Sequence, residues 1–182
     1  MTHAGVILYG PPTSGKSTVT QALHALSPTY TLFQRIKVGT GRTDGYRLAS
    51  ATEVEKLRQA DQIVWENHRY GNTYVVDRPA LAEHLAHGVP VLHLGQVEAV
   101  HRVTSALPEA RWLTVYLWCP RSIAEKRISA RGTGDTEARL KAWDETDPLQ
   151  DADVVLDTSL VQPHEAAREI NHQLGFPRHL SP

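Results

Sequence analysis

The chain has 182 residues, 41% hydrophobic and 21% charged, which suits one domain with a substantial core and excludes a disordered or collagen-like chain. Lys and Arg number 19 against 20 Asp and Glu, so the positive surplus needed to displace counterions from long DNA or RNA is missing. The single cysteine, Cys119, excludes a disulfide within the chain. The opening "MTHAGVILYG" carries no basic leader, and its apolar run is too short for a membrane span, so a soluble, cytoplasmic monomer or homodimer is expected.

"AGVILYG" is a short run of branched apolar residues, a strand that stops at Gly10, and "KSTVTQALHAL" spaces Val19, Leu23 and Leu26 as a helix does. "PTYTLFQRIKVG" reads as one second strand, followed by the glycine-rich "GTGRTDGYRLAS". Ser50 or Thr52 suits the N-cap of a short helix, "TEVEKLRQA", and "DQIVWENHRYGNTYVV" reads as two strands. Asp77 with Pro79 marks the start of a helix that runs to Gly88.

Beyond Gly88, "VPVLHLG" is a strand of buried type, "VEAVHRVTSAL" a helix and "RWLTVYLWCP" another buried strand, with Cys119 as a packed thiol at its end. "RSIAEKRISARG" and "DTEARLKAWDE" are helices, "ADVVLDTS" a last strand and "QPHEAAREINHQL" the closing helix. Strands alternating with helices give an α/β class, a mainly parallel central sheet flanked by helices on both faces.

Gly10, Pro11, Pro12, Thr13, Ser14, Gly15, Lys16 and Ser17 fit the pattern G-x-x-x-x-G-K-[ST], between a buried strand and a helix as that pattern requires. Glycines let backbone N–H groups turn inward around a phosphate, and the helix beginning there adds the positive end of its dipole. Lys16 is expected to reach the β- and γ-phosphates of ATP and Ser17 to offer its hydroxyl to Mg²⁺, with Thr18 beside it. The fold expected is that of a P-loop NTPase.

With these motifs in their order, the chain resembles the guanylate kinase family over most of its length. Its loop is similar to "GPSGSGKST", and "TGRTDGYRLAS" to that family's acceptor-binding segment. The resemblance implies that Arg42 pairs with an acceptor phosphate and that Tyr46 hydrogen-bonds it. In "VWENHRYGNTY", Glu66 stands for the guanine-reading glutamate, Tyr70 for the tyrosine before the glycine, and Asn72 or Thr73 for the base-contacting hydroxyl. "EKRISARGTGDTEARL" resembles the family's lid, where Arg127, Arg131 and Arg139 would neutralise the migrating phosphoryl group. Arg127 and Arg131 share a helix face, with Ala124 and Ile128 turned to the core.

The chain departs from the family in three places. Gly95-Gln96 follow "VPVLHL" without the family's aspartate. A second phosphate-gripping arginine is missing from the acceptor segment, for which Arg35, Lys37 or Arg47 would compensate. Asp157 and Thr158 stand where the family has an adenine-contacting asparagine. Trp65, Asn67, Tyr70 and Gly71 also resemble ribose 1,5-bisphosphate kinases, and "DTSLVQPHEAA" resembles small secondary-metabolite phosphotransferases. A non-catalytic guanylate-kinase-like binding module is a further reading, opposed by the presence of Lys16. The ten histidines, His84 and His87 included, show no metal-binding spacing and are read as surface or boundary residues.

The expectation is thus a single kinase domain over residues 1–182, with an acceptor-binding segment at 38–76 and a lid at 127–142. It would move the γ-phosphoryl group of ATP, with Mg²⁺, to a small phosphorylated acceptor such as GMP.

Overall fold

The computed structural model describes residues 3–69, 71–132 and 134–175. Strands β1 (Ala4–Tyr9), β2 (Tyr30–Leu32), β7 (Val89–Leu94), β8 (Arg111–Trp118) and β9 (Val154–Asp157) form a parallel sheet in the order β2-β7-β1-β8-β9. Strand β1 is central and buried along its whole length. Its side chains alternate between two cores, as the pleat dictates. Val6 and Leu8 pack under helices α1 (Lys16–Leu26) and α7 (Pro163–Gln173), through Val19, Leu23, Ala167 and Ile170. Ile7 and Tyr9 pack under α3 (Arg78–His87) and α4 (Val97–Ala106), through Leu81, Leu85, Val100 and Val103. Two buried faces explain why β1 reads as an unbroken apolar run.

The expected single strand over "PTYTLFQRIKVG" is two strands in different sheets. The chain leaves the main sheet at Phe33, which is buried in the second core, and enters β3 (Arg35–Val38). Strand β3 pairs parallel with the three-residue β4 (Tyr46–Leu48) and antiparallel with β6 (Asn72–Asp77). Strand β6 forms a hairpin with β5 (Ile63–Arg69), completing a four-stranded sheet in the order β4-β3-β6-β5. Helix α2 (Ala51–Gln59) covers one face of this smaller sheet by packing Val54 against Ile36 and Val75. Of the two N-cap candidates for α2, Ser50 is the one used, in a reciprocal capping box with Glu53. Asp77 caps α3 by accepting from the Ala80 amide at 3.3 Å.

Helices α5 (Arg121–Arg131) and α6 (Thr136–Asp144) follow β8 and pack on each other. Ala124 and Ile128 are buried under α5 as its spacing predicts, and Gly132 ends it in the left-handed conformation. Cys119 is buried, and burial pushes its thiol up. Among the described residues, no helix is long and apolar enough to cross a membrane.

Candidate active site

The loop from Gly10 to Ser17 joins the C-terminal end of β1 to α1, at the edge where ligands bind parallel α/β sheets. Two glycines are required by this path. A Cβ on Gly10 would meet the Leu117 carbonyl oxygen at 2.1 Å and the Ser14 hydroxyl at 2.7 Å, and Gly15 has φ of 97°. Thr13 also holds a positive φ, 62°, which brings successive amides to one side of the loop. The Lys16 ammonium donates to the carbonyls of Gly10 and Pro11 at 2.6 and 2.7 Å and to the Ser14 hydroxyl at 3.2 Å. Lys16 as a whole is half-buried, and burial of its ammonium lowers its pKa to about 7 with help from Arg35, Arg131 and Arg69. Ser17 and Thr18 are exposed at the start of α1.

Facing the loop across a cleft of about 230 Å³ is the uncovered face of the smaller sheet. Strand alternation selects what that face presents: Arg35 from β3, Tyr46 from β4, Asn67 and Arg69 from β5, and Tyr74 from β6. Tyr46 and Tyr74 lie 5.3 Å apart, ring to ring, and the Arg35 guanidinium sits over both at 5.8 and 5.4 Å. Burial pushes Arg35 below its ordinary range, and among the described residues no carboxylate pairs with it. Arg139 reaches the cleft from α6 and also pairs with Asp135 at 2.7 Å. Arg131, at the end of α5, is pushed down by desolvation and by the charges of Arg139, Arg42 and Arg127. The described lining contains Lys16, Arg35, Arg69 and Arg139 and no Asp or Glu.

His93, on β7, also lines the cleft. Its Nε2 lies 2.7 Å from the Thr20 hydroxyl, which in turn donates to the Lys16 carbonyl. Burial, reinforced by Lys16, Arg35 and Arg42, drives its pKa down to about 3, so the ring is neutral at physiological pH.

The expected site residues separate into groups. Gly10, Pro12, Lys16, Tyr46 and Arg139 line the cleft, the charge of Arg131 acts on Lys16, and that of Arg42 acts on both His93 and Arg131. Arg127 is instead anchored, donating to the Thr13 carbonyl at 3.1 Å and to the Thr158 hydroxyl and carbonyl at 3.0 and 2.8 Å. Asn72 is buried, and its side-chain oxygen accepts from the Thr40 amide at 2.8 Å, which fixes the loop after β3 instead of facing the cleft. Glu66 and Thr73 lie on the opposite face of the sheet, in a groove against α2. There Arg58 donates to Glu66 at 2.8 and 3.0 Å, and Thr73 bonds His68 at 2.9 Å. Tyr70 lies outside the described residues.

Of the three candidates to replace the missing arginine, Arg35 lines the cleft, and Lys37 shares its strand face with its ammonium 5.7 and 6.0 Å from the Tyr46 and Tyr74 rings. Lys37 is buried and donates to the carbonyls of Thr40 and Arg42, and Arg47 pairs with Asp77 behind the sheet. Arg69, Tyr74 and His93 complete the lining without having been expected, together with Asn67, which the sequence marks only through its likeness to ribose 1,5-bisphosphate kinases. The period-two pattern Trp65, Asn67, Arg69 was the available signal, since a strand cannot present Glu66 and Asn67 to the same side. Among the described residues no group of three or more His, Cys, Asp or Glu side chains is placed to hold a metal ion.

Comparison with known proteins agrees with this architecture. The family described as Chloramphenicol phosphotransferase-like protein matches residues 4–175. The guanylate kinase of Synechococcus sp. (strain CC9311) is 32% identical over 161 residues, which cover 82% of this chain and 83% of that protein. The guanylate kinase of Carboxydothermus hydrogenoformans is 30% identical over 157 residues, covering 79% of this chain and 75% of that protein. The crystal structure of guanylate kinase from Anaplasma phagocytophilum superposes with a TM-score of 0.62 at 18% identity, over 96% of this chain and 86% of that one, a likeness of fold. A phosphate-type loop, a mostly parallel sheet and these matches lead to one conclusion: the chain belongs to the chloramphenicol phosphotransferase-like family and to the guanylate-kinase-like P-loop kinases.

Proposed function

We propose that the protein transfers the γ-phosphoryl group of ATP to an acceptor that already carries a phosphate, a nucleoside monophosphate such as GMP or a sugar phosphate. The observation that carries this reading is the charge of the cleft. Its described lining offers an ammonium group and three guanidinium groups and no carboxylate. An alcohol acceptor must give up a proton as it attacks, and so calls for a base. His93, held neutral with a pKa near 3, is too weak a base for that task. An ionised phosphate oxygen needs no base and is drawn to guanidinium groups that grip it bidentately. The family's name refers to chloramphenicol, an alcohol, and the lining argues for an anion in its place here.

The loop suits a triphosphate, since it leads into the N-terminus of α1 and holds the Lys16 ammonium against its own carbonyls, on a path that requires Gly10 and Gly15. Mg²⁺, travelling with ATP, would find the exposed Ser17 hydroxyl and would neutralise charge on the phosphates. Lys16, Arg131 and Arg139 would face the migrating group, and Arg35, Arg69, Tyr46 and Arg42 the acceptor phosphate. Residues 38–76 would form the acceptor-binding segment and 127–142 the lid. Glu66 and Thr73, turned to the α2 groove, favour a sugar phosphate as the second reading over an acceptor chosen by its guanine.

The test is ADP release with ATP and Mg²⁺ against GMP, other nucleoside monophosphates, ribose phosphates and chloramphenicol. The expected result is turnover with a phosphorylated acceptor, abolished by Lys16→Ala with the fold retained. Turnover on chloramphenicol alone would refute the proposal, and absence of turnover on every compound would return the chain to the binding-module reading.

A further inference from the structure

Resting on the phosphorylated-acceptor reading, one side chain in the cleft lacks the partner its chemistry requires. Among the described residues the buried side-chain oxygen of Asn67 accepts no hydrogen bond, although Asn67 lines the cleft beside Arg69. Two positions earlier on the same strand face, the buried indole N–H of Trp65 also finds no partner among the described residues. Nearly all buried polar atoms in folded proteins find partners, and leaving one unpaired costs stability, so two on one strand face ask for an explanation. Neighbouring polar side chains are committed elsewhere: Asn72 to Thr40, Glu66 to Arg58 and Thr73 to His68.

We propose that Asn67 reads the acceptor, accepting a hydrogen bond from a hydroxyl or amino group on the acceptor's carbon skeleton while guanidinium groups hold its phosphate. Residues i and i+2 of a strand lie roughly 7 Å apart, so the donor read by Asn67 sits within one sugar ring or one base of the phosphate held by Arg69. A site built to hydrogen-bond a substrate rejects an analogue lacking the donor more strongly than an apolar pocket rejects a missing methylene. The donor comes either from the sugar or from the base, and matched acceptors separate these sources.

The experiment compares the wild-type protein with Asn67→Leu, of similar volume and without the amide. Phosphotransfer is measured for GMP against dGMP, GMP against IMP, and ribose 5-phosphate, and the melting temperature of each free protein is recorded. In the wild type, at least one matched pair is expected to differ by roughly tenfold or more in kcat/KM. Asn67→Leu is expected to erase that preference and to melt at or above the wild-type temperature, because an unpaired buried oxygen has gone. Retention of the wild-type preference by the variant would overturn the proposal, as would a lower melting temperature, which marks the amide as structural. If no acceptor is phosphorylated, the reading of the preceding section fails, while the melting comparison still decides the role of Asn67.

Discussion

Lys16 is the residue whose environment makes the sharpest demand. Its pKa falls from 10.5 to about 7 because burial and the neighbouring Arg35, Arg131 and Arg69 disfavour the ammonium form. Between those pH values the unfolded chain binds a proton that the folded chain lacks. The resulting loss of stability is full below about pH 7 and fades as pH rises to 10.5. A bound triphosphate restores the charge, so nucleotide binding at pH 8 to 9 should take up close to one proton, and affinity should weaken as pH climbs above about 7. Calorimetry in two buffers of different ionisation heat reads that proton directly. Arg127 calls for a different outcome. Its bonds to Thr13 and Thr158 tie the phosphate loop to the turn after β9, so Arg127→Ala should raise KM for ATP several-fold and lower the melting temperature. A fall in kcat alone, with KM and melting unchanged, would place the guanidinium on the migrating phosphoryl group instead.

At the scale of elements, the smaller-sheet side of the cleft, where the proposed acceptor would sit, depends on the loop between β3 and β4. Asn72 holds the Thr40 amide, Lys37 holds the Thr40 and Arg42 carbonyls, and a Cβ on Gly39 would strike the Asn72 oxygen at 2.0 Å. These contacts set where Arg42 and Tyr46 emerge. Asn72→Ala should therefore raise KM for the acceptor about tenfold while leaving KM for ATP near its wild-type value, because the Thr40 amide loses its partner and the loop its anchor. Equal changes in both constants would count against a role confined to the acceptor side. Much of this level was legible in the sequence. The periodicity of the helices, the cap at Asp77 and the buried run of β1 all follow from local rules. The split between β2 and β3 did not show, because an apolar run continues through Phe33 and the local pattern carries no mark of a change of sheet. Nor did β4, since three residues are too few to display alternation.

For the whole molecule, the gap between the loop and the smaller sheet concentrates like charge that the free protein must tolerate. Binding a polyanion relieves that repulsion and adds the usual linkage, about 2.7 kcal/mol when ligand stands at 100 times Kd. Inorganic pyrophosphate should therefore raise the melting temperature more than chloride at equal ionic strength, and Arg35→Ala with Arg69→Ala should reduce that rise. An equal response to both salts would indicate screening without a site.

The sequence by itself determined the phosphate loop, the alternation of strands and helices and the kinase class, because each rests on the order and spacing of neighbouring residues. The tertiary structure decided which cations face the cleft. Arg35 and Arg69 were drawn to the cleft, Glu66 and Thr73 were sent to the α2 groove, and Arg127 was fastened to the loop. The reason is geometric: a strand gives its side chains alternately to two faces, and only the packing of α2 against one of them fixes which face is left for the ligand.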